Sequence, residues 1–221
     1  MTLKPYLSPY KGFIFDMDGT LVDNMGIHNQ AWVAWAETEG LPHTPEEVLG
    51  LTHGTLKDIV SRFFPEAAIE HSLERGAKKE ALYREMFGDR LAAIDGLVPF
   101  LDALRAEGKQ IALATAGDLE NVAFILDGLH LRGYFDFIVT GEEVAEGKPH
   151  PEVFEKALQG LGLPATECVI FEDSPAGIEA ARRAGVAAVL VHPWSLPEAF
   201  TQREHMIAEV GDYTELLEVK P

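Results

Sequence analysis

The 221-residue chain is predicted to be an α/β protein: a parallel sheet covered by helices on both faces, with an all-helical segment inserted after the first strand. Three observations predict it. Short β-type runs alternate with helical patterns along most of the chain, as strand–crossover–strand units require. The stretch from about Gly26 to Arg90 breaks that rhythm and contains no strand pattern. The first strand, Phe13-Ile14-Phe15, runs directly into Asp16, Asp18 and Asp23 and so delivers carboxylates at its carboxyl end.

The strand runs are GFIF (12–15), QIALAT (110–115), FDFIVT (135–140), CVIFED (168–173) and VAAVLV (186–191). Between and after them, helical apolar spacing covers roughly 97–107, 118–129, 151–162 and 175–184. Asp118 is placed to cap the second of these helices. His150-Pro151 and Ser174-Pro175 put proline where a first helical residue belongs, because its missing N–H costs nothing there. In the insert, Ile27, Ala31 and Trp35 recur at fours, and helical patterns continue through 45–62 and 66–87. His53 falls in the loop-like stretch LTHGT, and AIDGLVPF (93–100) returns the chain to the sheet. The expected division is residues 1–25 and 91–221 as a Rossmann-like core, with 26–90 as a helical cap. Most tryptophans and phenylalanines are expected in the cores.

Composition narrows the function. The chain is 47% hydrophobic and 24% charged, with a formal net charge of −18. No basic stripe is available to displace counterions from nucleic acid. No apolar run approaches the ~20 residues of a membrane span, and the N-terminus has no signal-peptide core, so the cytoplasm is the default. The one cysteine, Cys168, excludes an internal disulfide and a multi-cysteine zinc site, and is expected to be a buried small side chain. No interface stripe stands out, which leaves a monomer or a small homo-oligomer.

In an open parallel sheet, ligands bind at the carboxyl ends of the strands. The first strand ends on Asp16, the second on Thr115 and the fourth on Glu172 and Asp173, with Lys148 in GKPHP ahead of it. If these strands are neighbours, acids, a hydroxyl and an amine converge. Carboxylates without histidine or cysteine form a hard-oxygen set that suits magnesium. A metal and Lys148 would neutralise a phosphate ester in this acidic protein. A carboxylate could then attack phosphorus, with the aspartate two residues on as acid and base. Thr115 either packs as a strand residue or holds phosphoryl oxygens, helped by the backbone at Ala116 and Gly117.

Taken together, DMDGTLVDN, ATAG, GKPHP and FEDSPAG resemble the four motifs of the haloacid-dehalogenase-like superfamily, in order, from about residue 12 to 191. The arrangement is most similar to the branch containing β-phosphoglucomutase and sugar-phosphate phosphatases. The resemblance implies Asp16 as nucleophile and magnesium ligand, and Asp18 as general acid/base with its carbonyl on the metal. It implies Thr115 and Lys148 at the phosphoryl group, Asp173 as a magnesium ligand with Glu172 beside it, and a cap that closes over the substrate. In the cap, His28 matches a mutase histidine by spacing, Lys57 falls where mutases carry an arginine for a distal phosphate, and Lys79 matches a further lysine. The resemblance thus implies magnesium-dependent hydrolysis of a small phosphorylated metabolite through an aspartyl-phosphate. Thr20 in DGTL and Lys57 in place of arginine favour that over a phosphosugar mutase, the main alternative. A binding protein on the same fold would not require Asp18, and a dehalogenase would not require the acids at 172 and 173.

Overall fold

A computed structural model describes residues 1–192 and 205–218. In chain order, β1 (Thr2–Leu3) precedes β2 (Gly12–Phe15), and the helical insert follows as α1 (Met25–Thr38), α2 (Pro45–Leu51), α3 (Leu56–Phe63) and α4 (Ile69–Phe87). The chain then alternates: α5 (Leu97–Ala106), β3 (Gln110–Ala114), α6 (Leu119–Gly128), β4 (Phe137–Val139), α7 (Glu152–Leu161), β5 (Cys168–Glu172), α8 (Pro175–Arg183) and β6 (Ala187–Val191). It ends in β7 (Met206–Val210) and β8 (Leu217–Glu218).

Six strands form one parallel sheet in the order β4-β3-β2-β5-β6-β7, and β1 pairs with β8 in a separate antiparallel ladder. Successive side chains of a strand face opposite sides. Phe13 and Phe15 therefore pack with α5 and α6 on one face, while Ile14 packs with α7 and α8 on the other. Both faces are covered, so every residue of β2 is buried. On the first face, Phe15 stacks on Phe171 at 4.6 Å, and Phe100 and Tyr213 close the aromatic cluster. Cys168 lies buried in the second core. Trp194 and Phe200 lie outside the described residues.

The sheet's topology places the site. β2 is central, between β3 and β5, and the chain winds outward from it in both directions. That reversal opens a crevice at the carboxyl ends of β2, β3 and β5. Tyr213, buried near the end of the chain, donates its hydroxyl to the Thr20 carbonyl at 3.0 Å and so ties down the loop after β2.

The insert has its own core of Trp32, Trp35, Ala36, Val48, Ile59 and Phe63. Its periodicity produces the expected helices with one interruption. The pattern over 45–62 is two helices, because Gly54 takes φ +90° and Thr55 starts α3 with a capping box to Asp58. Other differences are small. FDFIVT narrows to three paired residues, and Pro151 is the N-cap of α7 where a first helical residue was expected. Ala93 bridges to Val22 before α5 begins. The edge strand β7 was not anticipated: its apolar run is only Met206–Ala208, Glu209 interrupts it, and only Val210 is buried.

Candidate active site

Asp16 follows the last residue of β2 and still pairs with the sheet, its N–H donating to the Phe171 carbonyl at 3.0 Å. The chain then turns sharply. Gly19 takes φ +78°, and its N–H donates to the Val22 carbonyl and to Asn24 Oδ1. The turn returns Asp18 to the crevice beside Asp16. Asn24 Nδ2 donates to Asp18 Oδ1 at 2.6 Å, and His28 Nε2 lies 3.4 Å from the same oxygen. Burial raises the Asp18 carboxyl, but His28 and Asn24 outweigh it and hold the group below its ordinary value.

Lys148 bridges two strand ends. Its Nζ donates to Asp16 Oδ1 at 2.5 Å and to Glu172 Oε1 at 2.6 Å. Burial works against its charge, but these two carboxylates keep it protonated well above the ordinary lysine range. The second oxygen of Glu172 accepts from the N–H groups of Asp173 and Ser174 and from Ser174 Oγ. Glu172 thus sits on the N-terminus of α8, where amides and dipole favour an anion. It can do so only because residue 177 is glycine: a Cβ there would lie 1.8 Å from the Glu172 carboxylate. Gly177→Ala is therefore expected to displace Glu172 and Lys148 together. Overpacking of this kind costs about 1–3 kcal/mol. Thermal melts and turnover of the variant check this, and a wild-type melt with wild-type turnover would contradict it.

Carboxylate oxygens of Asp16, Glu172 and Asp173 lie within 4.8 Å of one another. Burial pushes the Asp16 carboxyl up to about 8, with Glu172 and Asp18 adding to the rise and Lys148 opposing it. Asp173 is raised for the same reasons, burial first and then Glu172 and Asp16. Three acids share one lysine, so the cluster is short of positive charge. Oxygen-only donors at this spacing fit a small hard divalent cation.

Across the crevice, Thr115 follows β3 and is buried, its Oγ1 accepting from the Gly117 N–H at 3.0 Å. Gly117 packs beneath Asp18, and Gly141 braces the loop from behind, where a Cβ would lie 2.2 Å from the Ala116 carbonyl. Asp118 caps α6 by accepting from the Asn121 N–H at 2.7 Å.

The insert roofs this crevice. A cavity of about 250 Å³ is lined by Asp16, Asp18, Thr115, Ala116, Gly117, Lys148, Glu172 and Asp173 from the core, and by His28, His53 and Lys79 among others from the insert. That volume lies just below the ~300–1,000 Å³ of drug-sized pockets and suits a small metabolite. Lys57 is different: it is exposed on α3 and is not part of the lining. The cationic residue of the insert that faces the cavity is Lys79, which is 1% exposed.

Several residues around the site were not singled out in the sequence, although Asn24 ends the stretch DMDGTLVDN. Asn24 holds both Gly19 and Asp18, and Tyr83 stacks on His28 with centroids 3.7 Å apart and accepts from Asn24 Nδ2. Glu80 and Asn121 face the cavity from the insert and the core. Asn24 stands at a helix N-cap, where its side chain serves the loop after β2 and not the helix.

Known proteins match this arrangement. A family model described as haloacid dehalogenase-like hydrolase matches residues 10–185. The hexitol phosphatase A of Escherichia coli (strain K12) is 36% identical over 188 residues, covering 82% of this chain and 83% of the relative. A fructose-1-phosphate phosphatase of the same organism is 34% identical over 185 residues, covering 81% and 95%. Among solved structures, a haloacid dehalogenase hydrolase from Entamoeba histolytica superposes with a TM-score of 0.82 at 26% identity, covering 94% of this chain and 95% of that one. The β-phosphoglucomutase of Clostridium difficile superposes at 0.77 over 94% and 93%, and at 23% identity shares the fold alone. With the family model spanning most of the chain and these relatives aligned along their length, the chain belongs to the haloacid dehalogenase-like hydrolase family.

Proposed function

We propose that the protein is a magnesium-dependent phosphatase acting on a small sugar or polyol phosphate through an aspartyl-phosphate on Asp16. The observation that carries this reading is the pairing of two aspartates on one loop, with Asp16 held by Lys148 and Asp18 held separately by Asn24. In the metal-free site the two carboxyl groups are pushed in opposite directions, Asp16 up and Asp18 down; a bound cation would bring Asp16 back to the carboxylate that its nucleophilic role requires. The hexitol and fructose-1-phosphate phosphatases among the relatives support the substrate class.

In this mechanism a bound magnesium ion would be held by Asp16 and Asp173, with Glu172 alongside, and would supply charge neutralisation between the carboxylates and the phosphate. Lys148 orients the Asp16 carboxylate. An Asp16 oxygen forms a bond to phosphorus as the ester P–O bond breaks, and Asp18, which takes up a proton as the anionic ester binds beside it, gives that proton to the leaving alcohol. Asp18 then takes a proton from water, whose oxygen attacks phosphorus and frees Asp16 and inorganic phosphate. Thr115 and the Ala116–Gly117 backbone line the space for the phosphoryl oxygens. The helical insert acts as the cap that excludes bulk water during the transfer.

The test is a panel of phosphate esters assayed for inorganic phosphate with magnesium and with excess chelator. Phosphate is expected from at least one small sugar or polyol phosphate, and release should stop reversibly in chelator. Full release in chelator would overturn the metal assignment. Rapid conversion of β-glucose 1-phosphate to glucose 6-phosphate, with little free phosphate, would show a mutase instead.

A further inference from the structure

Two consecutive residues of α4, Lys79 and Glu80, are both buried and both line the cavity. Lys79 Nζ donates to Glu80 Oε1 at 3.0 Å and to His28 Nδ1 at 2.7 Å. An ammonium can only donate, so Nδ1 accepts and the ring proton of His28 lies on Nε2, toward Asp18. The other oxygen of Glu80 accepts from Asn121 Nδ2 at 2.8 Å, and Asn121 Oδ1 accepts from Arg84 at 2.8 Å. Glu80 is therefore fixed from both sides, by the insert and by the core.

This wall has a definite charge. Among the described residues lining the cavity, the lysines are Lys79 and Lys148, and each is already paired with carboxylate. Asp118 lines the same cavity. A second phosphate reaching toward the insert would have to break the Lys79–Glu80 pair and would then lie near Glu80 and Asp118. Hydroxyl groups meet the opposite situation. Asn29, Asn121 and Glu80 offer donors and acceptors at no cost in charge.

We propose that Glu80 is a specificity-determining residue: by neutralising Lys79 it restricts the site to monophosphates whose remaining part is uncharged and hydroxylated, and it rejects bisphosphates. This deepens, and rests on, the phosphatase reading above. It also bears on the choice of reaction, because a phosphosugar mutase must hold a bisphosphate intermediate in both orientations. Specificity of this kind is a difference between two affinities, built partly from repulsion of the wrong ligand.

The experiment measures binding and turnover in parallel on the full chain. Calorimetry with magnesium compares fructose 1-phosphate with fructose 1,6-bisphosphate on Asp16→Asn protein, which holds ligand without consuming it. Phosphate release is followed on protein with Asp16 intact. The monophosphate is expected to bind at least about tenfold tighter. Adding Glu80→Gln should erase most of that ratio by tightening the bisphosphate, while Glu80→Asp, which keeps the charge, should preserve it. A ratio of two ligands on one preparation does not depend on the fraction folded. Equal affinities, a preference for the bisphosphate, no binding of either, or the same ratio in Glu80→Gln would each overturn the assignment. If the ratio shifts as expected but the Asp16-intact protein releases no phosphate from either ester, the phosphatase reading fails and the role of Glu80 stands.

Discussion

Asp16→Asn is expected to remove turnover by more than about 10⁴-fold while the protein stays folded. The side chain lies at the mouth of the sheet, where it contributes charge and not packing, and Lys148 keeps its second partner in Glu172. The variant should even be more stable than the parent in metal-free solution above neutral pH. Burial raises the folded-state Asp16 carboxyl from 3.8 to about 8. Between those values the folded state binds more protons than the unfolded one, so its stability falls as pH rises through the window. Asparagine imitates the neutral form and removes that loss. Melts of both proteins at pH 8 in chelator, with phosphate release at neutral pH in magnesium, check the two halves. Substantial activity in Asp16→Asn, or a trapped phosphoenzyme whose label maps to another residue, would sink the nucleophile assignment.

The fold and the core of the site are legible in the sequence for the same reason. Phe13-Ile14-Phe15, Ile111–Ala114 and Val169–Phe171 are buried on both faces, so they read as continuous apolar runs, and the acids and hydroxyl after them, still buried, mark where the apolar run gives way to the site. Whatever depends on contacts between distant segments is less legible. Glu80 and Asn121 are 41 residues apart, and neither carries a motif. The two cap lysines show that part of this information is nevertheless present. On α3 the residues turned inward are Ile59, Val60 and Phe63, a helical stripe that leaves Lys57 on the outer face. On α4 the buried stripe runs through Ser72, Gly76, Lys79, Glu80, Tyr83 and Phe87, so its spacing places a lysine–glutamate pair on the inward face. The resemblance put Lys57 in the place of a mutase arginine and matched Lys79 to a further lysine; of the two, the buried face of α4 brings Lys79 to the cavity. β7 escaped for a different reason: an edge strand with one exposed face needs no apolar run.

Lys148→Met is expected to lose about 10²–10³-fold in turnover, as when one preorganised charge donor is removed from a transfer site. Its effect on stability should depend on the metal. Lys148 lies within ion-pair distance of Asp16 and Glu172, and Asp173 adds a third acid to the cluster. Removing one partner from a buried ionic cluster costs about 3–5 kcal/mol, because the remaining charges lose their compensation. In chelator the variant should therefore melt far below the parent. Magnesium at about 100 times its dissociation constant adds about 2.7 kcal/mol to any folded state that binds it. At one fixed magnesium concentration the variant should gain more than the parent, since in the parent the ion must share its carboxylates with an ammonium and in the variant it need not. Differential scanning calorimetry of both proteins, with and without magnesium, measures this difference directly. A melting deficit of the same size in chelator and in magnesium would mean that the cation and Lys148 do not act on the same acids, and the metal would then have to be placed away from Asp16 and Asp173.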